Sequence, residues 1–333
     1  MRAGLLGGAP GVALVLAAVL PGLAAPQTQQ NSTTTYDLDT RDVNGAPMPG
    51  ISGSYSRAGG ETRITETRQS LNGHSVPAER VEERVVRDEG GVRVVERQIE
   101  RYDPNGNPLP REKQVVTTTT HADGSMNEQR EVWRGDFNGN MALAERTGTE
   151  SRRNGSTVTS ETTVERPSLN ASMDVVEKRK AVRTDGAPGA YEQNETVWRN
   201  GQSGFYEAVR RITEHHEEGG RSSQNTAEYE IGATGALVLN SQTVRNAFKA
   251  PDGSQTTETT YLDRSAAGSV VDASDPGLKL RAQEIVERAP GPGGSVRETV
   301  SVRRPSISDP GHLDPARKIS ETVCHGDCSA DRP

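Results

Sequence analysis

The chain has 333 residues, a formal net charge of −7 and an isoelectric point near 5.6. Leu, Ile, Val and Phe together make up about 17% of it, below the roughly 20% at which a packed globule becomes doubtful. Aromatic residues are 4% and the mean hydropathy is −0.73. Such a composition argues against a conventional enzyme with a large buried core, while the small net charge imposes no self-repulsion that would hold the chain unfolded.

Residues 1–24 read as a secretory signal peptide. Arg2 supplies a positive start, an apolar run follows from Gly11 to Leu20, and Pro21, Gly22 and Ala24 form a small-residue cleavage region. The run is too short to cross about 30 Å of hydrocarbon. No Cys follows it, so there is no thiol for a lipoprotein anchor. No second apolar run occurs, and the mature chain is expected to be secreted or periplasmic, with no transmembrane segment after cleavage. Residues 25–35 are polar and read as a disordered linker.

From 36 to 304 the chain repeats with a period of about 32 residues. One series of turn dipeptides contains Gly59-Gly60, Gly90-Gly91, Asp123-Gly124, Asn154-Gly155, Asp185-Gly186, Gly219-Gly220 and Asp252-Gly253. A second lies half a period away and includes Asn44-Gly45, Asn72-Gly73, Asn105-Gly106 and Asn138-Gly139. An aromatic residue recurs ahead of the second series: Tyr36, Tyr102, Trp133, Trp198, Tyr229 and Tyr261. Asn-Gly, Asp-Gly and Gly-Gly supply the positive φ angles of tight hairpins. The segments between are rich in Thr, Val, Glu and Arg, as in Arg63–Arg68 and Val92–Arg97. β-Branched residues favour the pleated backbone, and opposed Glu and Arg pair across strands. Leu278–Arg288 has enough Leu, Ala and Gln for a helix, but its Val-Glu-Arg ending favours a strand.

The fold class that follows is all-β: tandem β-hairpins of about 32 residues, forming an elongated antiparallel meander or solenoid-like sheet that is polar on both faces. About sixteen strands are expected. A β-propeller-like closure is the alternative. A transmembrane barrel is disfavoured, because Glu and Arg occupy both alternation phases and leave no apolar band.

The segment 305–333, rich in Pro, Asp and Ser, reads as a disordered tail. It carries the chain's two cysteines, Cys324 and Cys328, which in an oxidising compartment read as a local disulfide. Their C-x3-C spacing, even with His325 and Asp327, does not complete a usual tetrahedral metal site.

No nucleophile elbow, phosphate-binding loop or His-Glu-x-x-His helix is found, and no cofactor or catalytic residue is assigned. Basic clusters are interrupted by Glu, so nucleic acid is not an expected partner. His215 and His216 are adjacent and would face opposite sides of a strand. Arg134-Gly135-Asp136 beside a turn reads as a chance tripeptide. The functional expectation is a non-catalytic β-repeat protein with a structural, envelope or protein-interaction role. A polysaccharide-binding surface built from the six repeated aromatics is the first alternative, and a hydrolase whose site forms only in space is the second. Unpaired end strands would allow self-association.

Overall fold

The computed structural model describes residues 32–42, 51–58, 62–71, 74–170, 172–232, 234–264, 278–306 and 312–326. Eighteen strands run through them: β1 (Ser32–Asp42), β2 (Ile51–Ala58), β3 (Thr62–Leu71), β4 (His74–Glu89), β5 (Val92–Arg101) and β6 (Glu112–Thr120). Next come β7 (Met126–Gly135), β8 (Met141–Asn154), β9 (Thr157–Pro167), β10 (Met173–Asp185), β11 (Ala190–Gly201) and β12 (Gly204–Glu218). The chain ends with β13 (Arg221–Ile231), β14 (Leu237–Lys249), β15 (Gln255–Asp263), β16 (Lys279–Pro290), β17 (Val296–Arg303) and β18 (Arg317–Gly326). The all-β class and the antiparallel meander are therefore as the repeat implies, and the segment at 279–290 is a strand.

Each strand pairs antiparallel with its neighbours in sequence. The meander is one continuous sheet, and its first and last strands meet. Tyr36–Asp42 of β1 lies opposite Gly326–Ser320 of β18, while Ser32–Leu38 of the same strand lies opposite Arg57–Ile51 of β2. The pairings form a ring. Eighteen strands about 4.8 Å apart, tilted by about 40°, close on a circle roughly 35 Å across. The substantial strand packing is between ring neighbours. A propeller would divide the strands into separate blades, whereas this sheet is continuous. The end strands expected to offer an edge for self-association, β1 and β18, are paired with each other over Tyr36–Asp42 and Gly326–Ser320.

Two boundaries also change. Ser32–Thr35 belong to β1 rather than to a linker. The tail 305–333 contains β18, where Ile319-Ser320-Glu321-Thr322-Val323 has the same alternating vocabulary as the repeats. Partners on both sides order it, which its Pro-rich approach conceals. The signal peptide at 1–24 and the linker at 25–31 lie outside the described residues.

Turn chemistry explains one rim. Gly91 has φ of 76°, and a Cβ there would stand 2.7 Å from the carbonyl oxygen of Thr120. Its own carbonyl accepts the N–H of Thr120 at 2.8 Å. The turn expected at Asp185-Gly186 puts its positive φ at Gly189 instead, where a Cβ would lie 2.3 Å from the Glu217 carbonyl oxygen. Glu217 N–H donates to the Gly189 carbonyl at 2.8 Å. Each of these turns is thus tied to the next hairpin, and only glycine permits the approach.

A period that sequence alone does not display lies in the register. Ala144, Val176, Ala208 and Asn240 are the extra residues of β-bulges in β8, β10, β12 and β14, each 32 residues after the last. Further bulges occur in β4, β16 and β18. Bulges sharpen local twist and bend the strand, which a sheet must do to close.

Because directly opposed residues share a face, the register assigns every strand position to one of two surfaces. We call them the Val132 face and the Trp133 face. Both are polar. The Val132 face carries Glu83, Arg97, Arg130, Arg179, Glu195 and Arg211; the Trp133 face carries Arg80, Glu96, Lys113, Glu131, Arg146 and Glu161. Buried apolar residues are few: Ile99, Val132, Val164 and Val197 recur one per repeat on the Val132 face, and Val197 forms a small cluster with Ala208 and Val209. Val132 lies between Gln114 and Glu145, so no continuous core forms.

Truncation after Ala316 removes β18 and bares β1 and β17. The expected result is loss of cooperative thermal unfolding by circular dichroism, together with aggregation on size exclusion. A monomeric truncation with an unchanged melting curve would contradict ring closure.

Candidate interaction surface

The repeat places the same charges at the same height in successive strands. On the Val132 face, Glu79, Arg101, Glu112, Arg134, Glu145, Arg166, Glu177 and Arg199 come one from each strand from β4 to β11. Arg101 Nε donates to Glu79 Oε2 at 3.0 Å, and its Nη1 lies 3.9 Å from Glu112. Arg134 Nε stands 3.7 Å from Glu112, Arg166 Nε donates to Glu145 at 3.0 Å, and Arg199 Nε donates to Glu177 at 3.4 Å. This collar lies just below the rim formed by the loops after odd-numbered strands.

Its two charges are not equally visible. Glu112 is 14% exposed, whereas Arg134 is 69% exposed. Glu177 is likewise more covered than Arg199, and Glu145 more than Arg166. The carboxylates sit down in the sheet, and the longer guanidinium side chains reach over them into solvent.

The six repeated aromatics do not form one strip. Trp133, Trp198 and Tyr229 share the Trp133 face, each directly beside a bulge and opposite a cation on the preceding strand: Lys113, Lys178 and Arg210. Tyr261 lies on the other face, opposite Thr243 and Ala282. The bulge falls between Tyr261 and Leu262, so Leu262 is the true equivalent of the tryptophans. Tyr102 sits outside the strands in a bridge to Pro108, its hydroxyl donating to Glu100 at 3.3 Å. Burial, then the Glu100 carboxylate, pushes the Tyr102 phenol up. Tyr36 lies in β1 opposite Gly326 and Gly53. Equal spacing made the aromatics look alike; the one-residue offset of Tyr261 reverses its face.

Cys324 is 1% exposed, pairs in register with Val296, and is disulfide-bonded. Cys328 lies outside the described residues. His215 and His216 do turn to opposite faces. His215 stacks on Tyr191 with ring centroids 4.8 Å apart, and Arg183 covers the same tyrosine at 3.9 Å. His216 faces Glu218 at 3.6 Å. A shallow groove of about 510 Å3 lies beside His216, between Arg221, Phe248, Asn246 and Glu258. In Arg134-Gly135-Asp136 the arginine belongs to the collar, and the Asp136 carboxylate is engaged within its own turn. It accepts from Asn138 N–H, Asn140 N–H and Asn140 Nδ2 at 2.8–3.0 Å.

Sequence reasoning missed the collar, although its signal was present. Arg101, Arg134, Arg166 and Arg199 keep the repeat spacing, but abundant arginine elsewhere hides the series.

Several carboxylates are held below their usual range. The Lys113 ammonium does so for Glu96, the Lys180 ammonium for Glu161, and the Arg153 and Arg183 guanidiniums for Asp185. Turn hydrogen bonds from Ser125, Asn140 and Ser254 do the same for Asp123, Asp136 and Asp252. A depressed folded-state value contributes stability above the unfolded carboxylate pKa, and that contribution vanishes as pH falls through the folded value. The melting temperature should therefore hold steady down to about pH 5 and fall below about pH 4. A melting temperature that rises on acidification would contradict this.

Glu112→Gln removes the carboxylate shared by Arg101 and Arg134. Urea unfolding should show a loss of about 1 kcal/mol, against nearly none for exposed Arg152→Ala.

No family model matches the sequence, and no curated protein matches it. A crystal structure of Pseudomonas aeruginosa OpdO aligns over 88% of this chain and 95% of that one, with 8% identity and a TM-score of 0.46. A likeness that loose carries no functional argument.

Proposed function

We propose that this chain is a secreted or periplasmic, non-catalytic barrel of the cell envelope, acting through its polar surfaces in a structural or protein-interaction role. The observation that carries this reading is the charge on both faces of the ring. An Arg or Lys facing the middle of a bilayer costs roughly 2–4 kcal/mol. Whichever face is outward, mid-strand residues such as Arg97 and Arg130, or Arg146 and Lys180, would meet that cost several times over. The wall therefore belongs in water on both sides, and the signal-like residues 1–24 supply the route across the inner membrane. Carboxylates such as Glu83, Glu131 and Glu228 are engaged by arginines, the role of a load-sharing ladder and not of an acid–base pair. The saccharide-strip alternative has less support, because its aromatics divide between faces.

The test is extraction. Washing the producing cell's envelope with alkaline carbonate should release the full chain into the aqueous fraction, where it stays monodisperse and β-rich without detergent. A chain that remains with the lipid pellet and needs detergent for solubility would overturn the proposal.

A further inference from the structure

The two rims of the barrel differ in kind. At the rim of even-to-odd turns, charged residues crowd the glycines, as in Arg87-Asp88-Glu89-Gly90 and Glu217-Glu218-Gly219. At the opposite rim, the described hairpins from β5–β6 to β13–β14 carry exposed apolar residues. Leu109, Phe137, Leu169, Phe205 and Ile231 stand exposed on five consecutive hairpins, with Phe137 at 90% and Leu169 wholly bare. Across 135–141, 167–173, 200–206 and 231–237 the only charged residue is Asp136, whose carboxylate is already satisfied within its turn. Arg134 and Arg166 precede Phe137 and Leu169 by three residues each, and Arg199 lies directly opposite Tyr206, the neighbour of Phe205. The exposed guanidiniums of the collar thus sit within about 10 Å beneath the apolar tips.

We infer that this rim docks on a phospholipid bilayer surface, its apolar tips entering the headgroup boundary and its arginines meeting the phosphates. Tip spacing selects lipid over a protein partner. Alternate hairpins stand about 10 Å apart, each with one or two apolar residues separated by Asn, Gly and Ser. A protein interface needs a contiguous dry patch, whereas a fluid interface accepts separate anchors. Interfacial burial reaches about 5–10 Å, the depth at which the collar would lie at the phosphate level, and guanidinium pairs with phosphate in strong charge-assisted bonds. The inference goes beyond the water-exposed scaffold and concerns its rim alone; carbonate release tests the wall and does not bear on the rim.

The test is flotation of the full chain with phosphatidylcholine vesicles and with vesicles containing phosphatidylglycerol, at neutral pH and moderate salt. Binding should be stronger to the anionic vesicles. The double variant Phe137→Asp/Leu169→Asp should lose about tenfold or more in affinity on both. Arg134→Gln/Arg166→Gln should lose the preference for phosphatidylglycerol. Phe248→Asp, near the other rim, should bind as wild type. Phe137 and Leu169 are almost fully solvated, so far-UV circular dichroism should match for all variants. No flotation, or equal flotation of the tip variant and wild type, would overturn the inference. So would a wild-type dimer on sedimentation that the tip variant abolishes, since the rim would then bind a second copy.

Discussion

A sheet with charge on both faces has no hydrophobic side to bury, so backbone pairing must be complete. Every residue removed from a ladder leaves an N–H and a C=O to find water, and every open edge invites another chain. Closure between β1 and β18 meets that constraint. It gives each strand two neighbours and makes the barrel, although composition alone would allow an endless ribbon. The side chains then reinforce what the backbone requires. Thr149 with Thr162 and Ser151 with Ser160 share hydrogen bonds across strands, and Glu131, Arg146 and Glu165 form a three-strand bridge. Individually such exposed pairs contribute little. Repetition around the ring makes them a distributed scaffold.

Closure needs curvature, and the repeat supplies it at fixed places. The extra residues Ala144, Val176, Ala208 and Asn240 bend successive even strands at one height. Trp133, Trp198 and Tyr229 stand beside three of these bends, where the broken ladder gains most from an apolar cover. Their periodicity follows that of the bulges. At one rim, glycine turns such as Gly91 and Gly189 press against the next hairpin and accept its N–H, so that rim is knit to itself. At the other rim, the loops carry apolar tips away from the wall. One repeat therefore yields a polar wall with two chemically distinct ends, and the collar of arginines marks the boundary between wall and tips.

Much of this was legible in the residues. Turn dipeptides at a period near 32, with Thr, Val, Glu and Arg between them, determine hairpins, their antiparallel order and polarity on both faces, because local backbone preference and alternation are enough. The opposition of His215 and His216 follows from strand geometry in the same way. Closure, the bulges, the faces of Tyr261 and Trp133, and the order of the tail were decided only by tertiary structure. Each depends on which residue lies opposite which, and a shift of one place reverses a face without changing composition. The arginine collar needed both: the sequence spaced Arg101, Arg134, Arg166 and Arg199, but only the ring brought their charges to a single height beneath one rim.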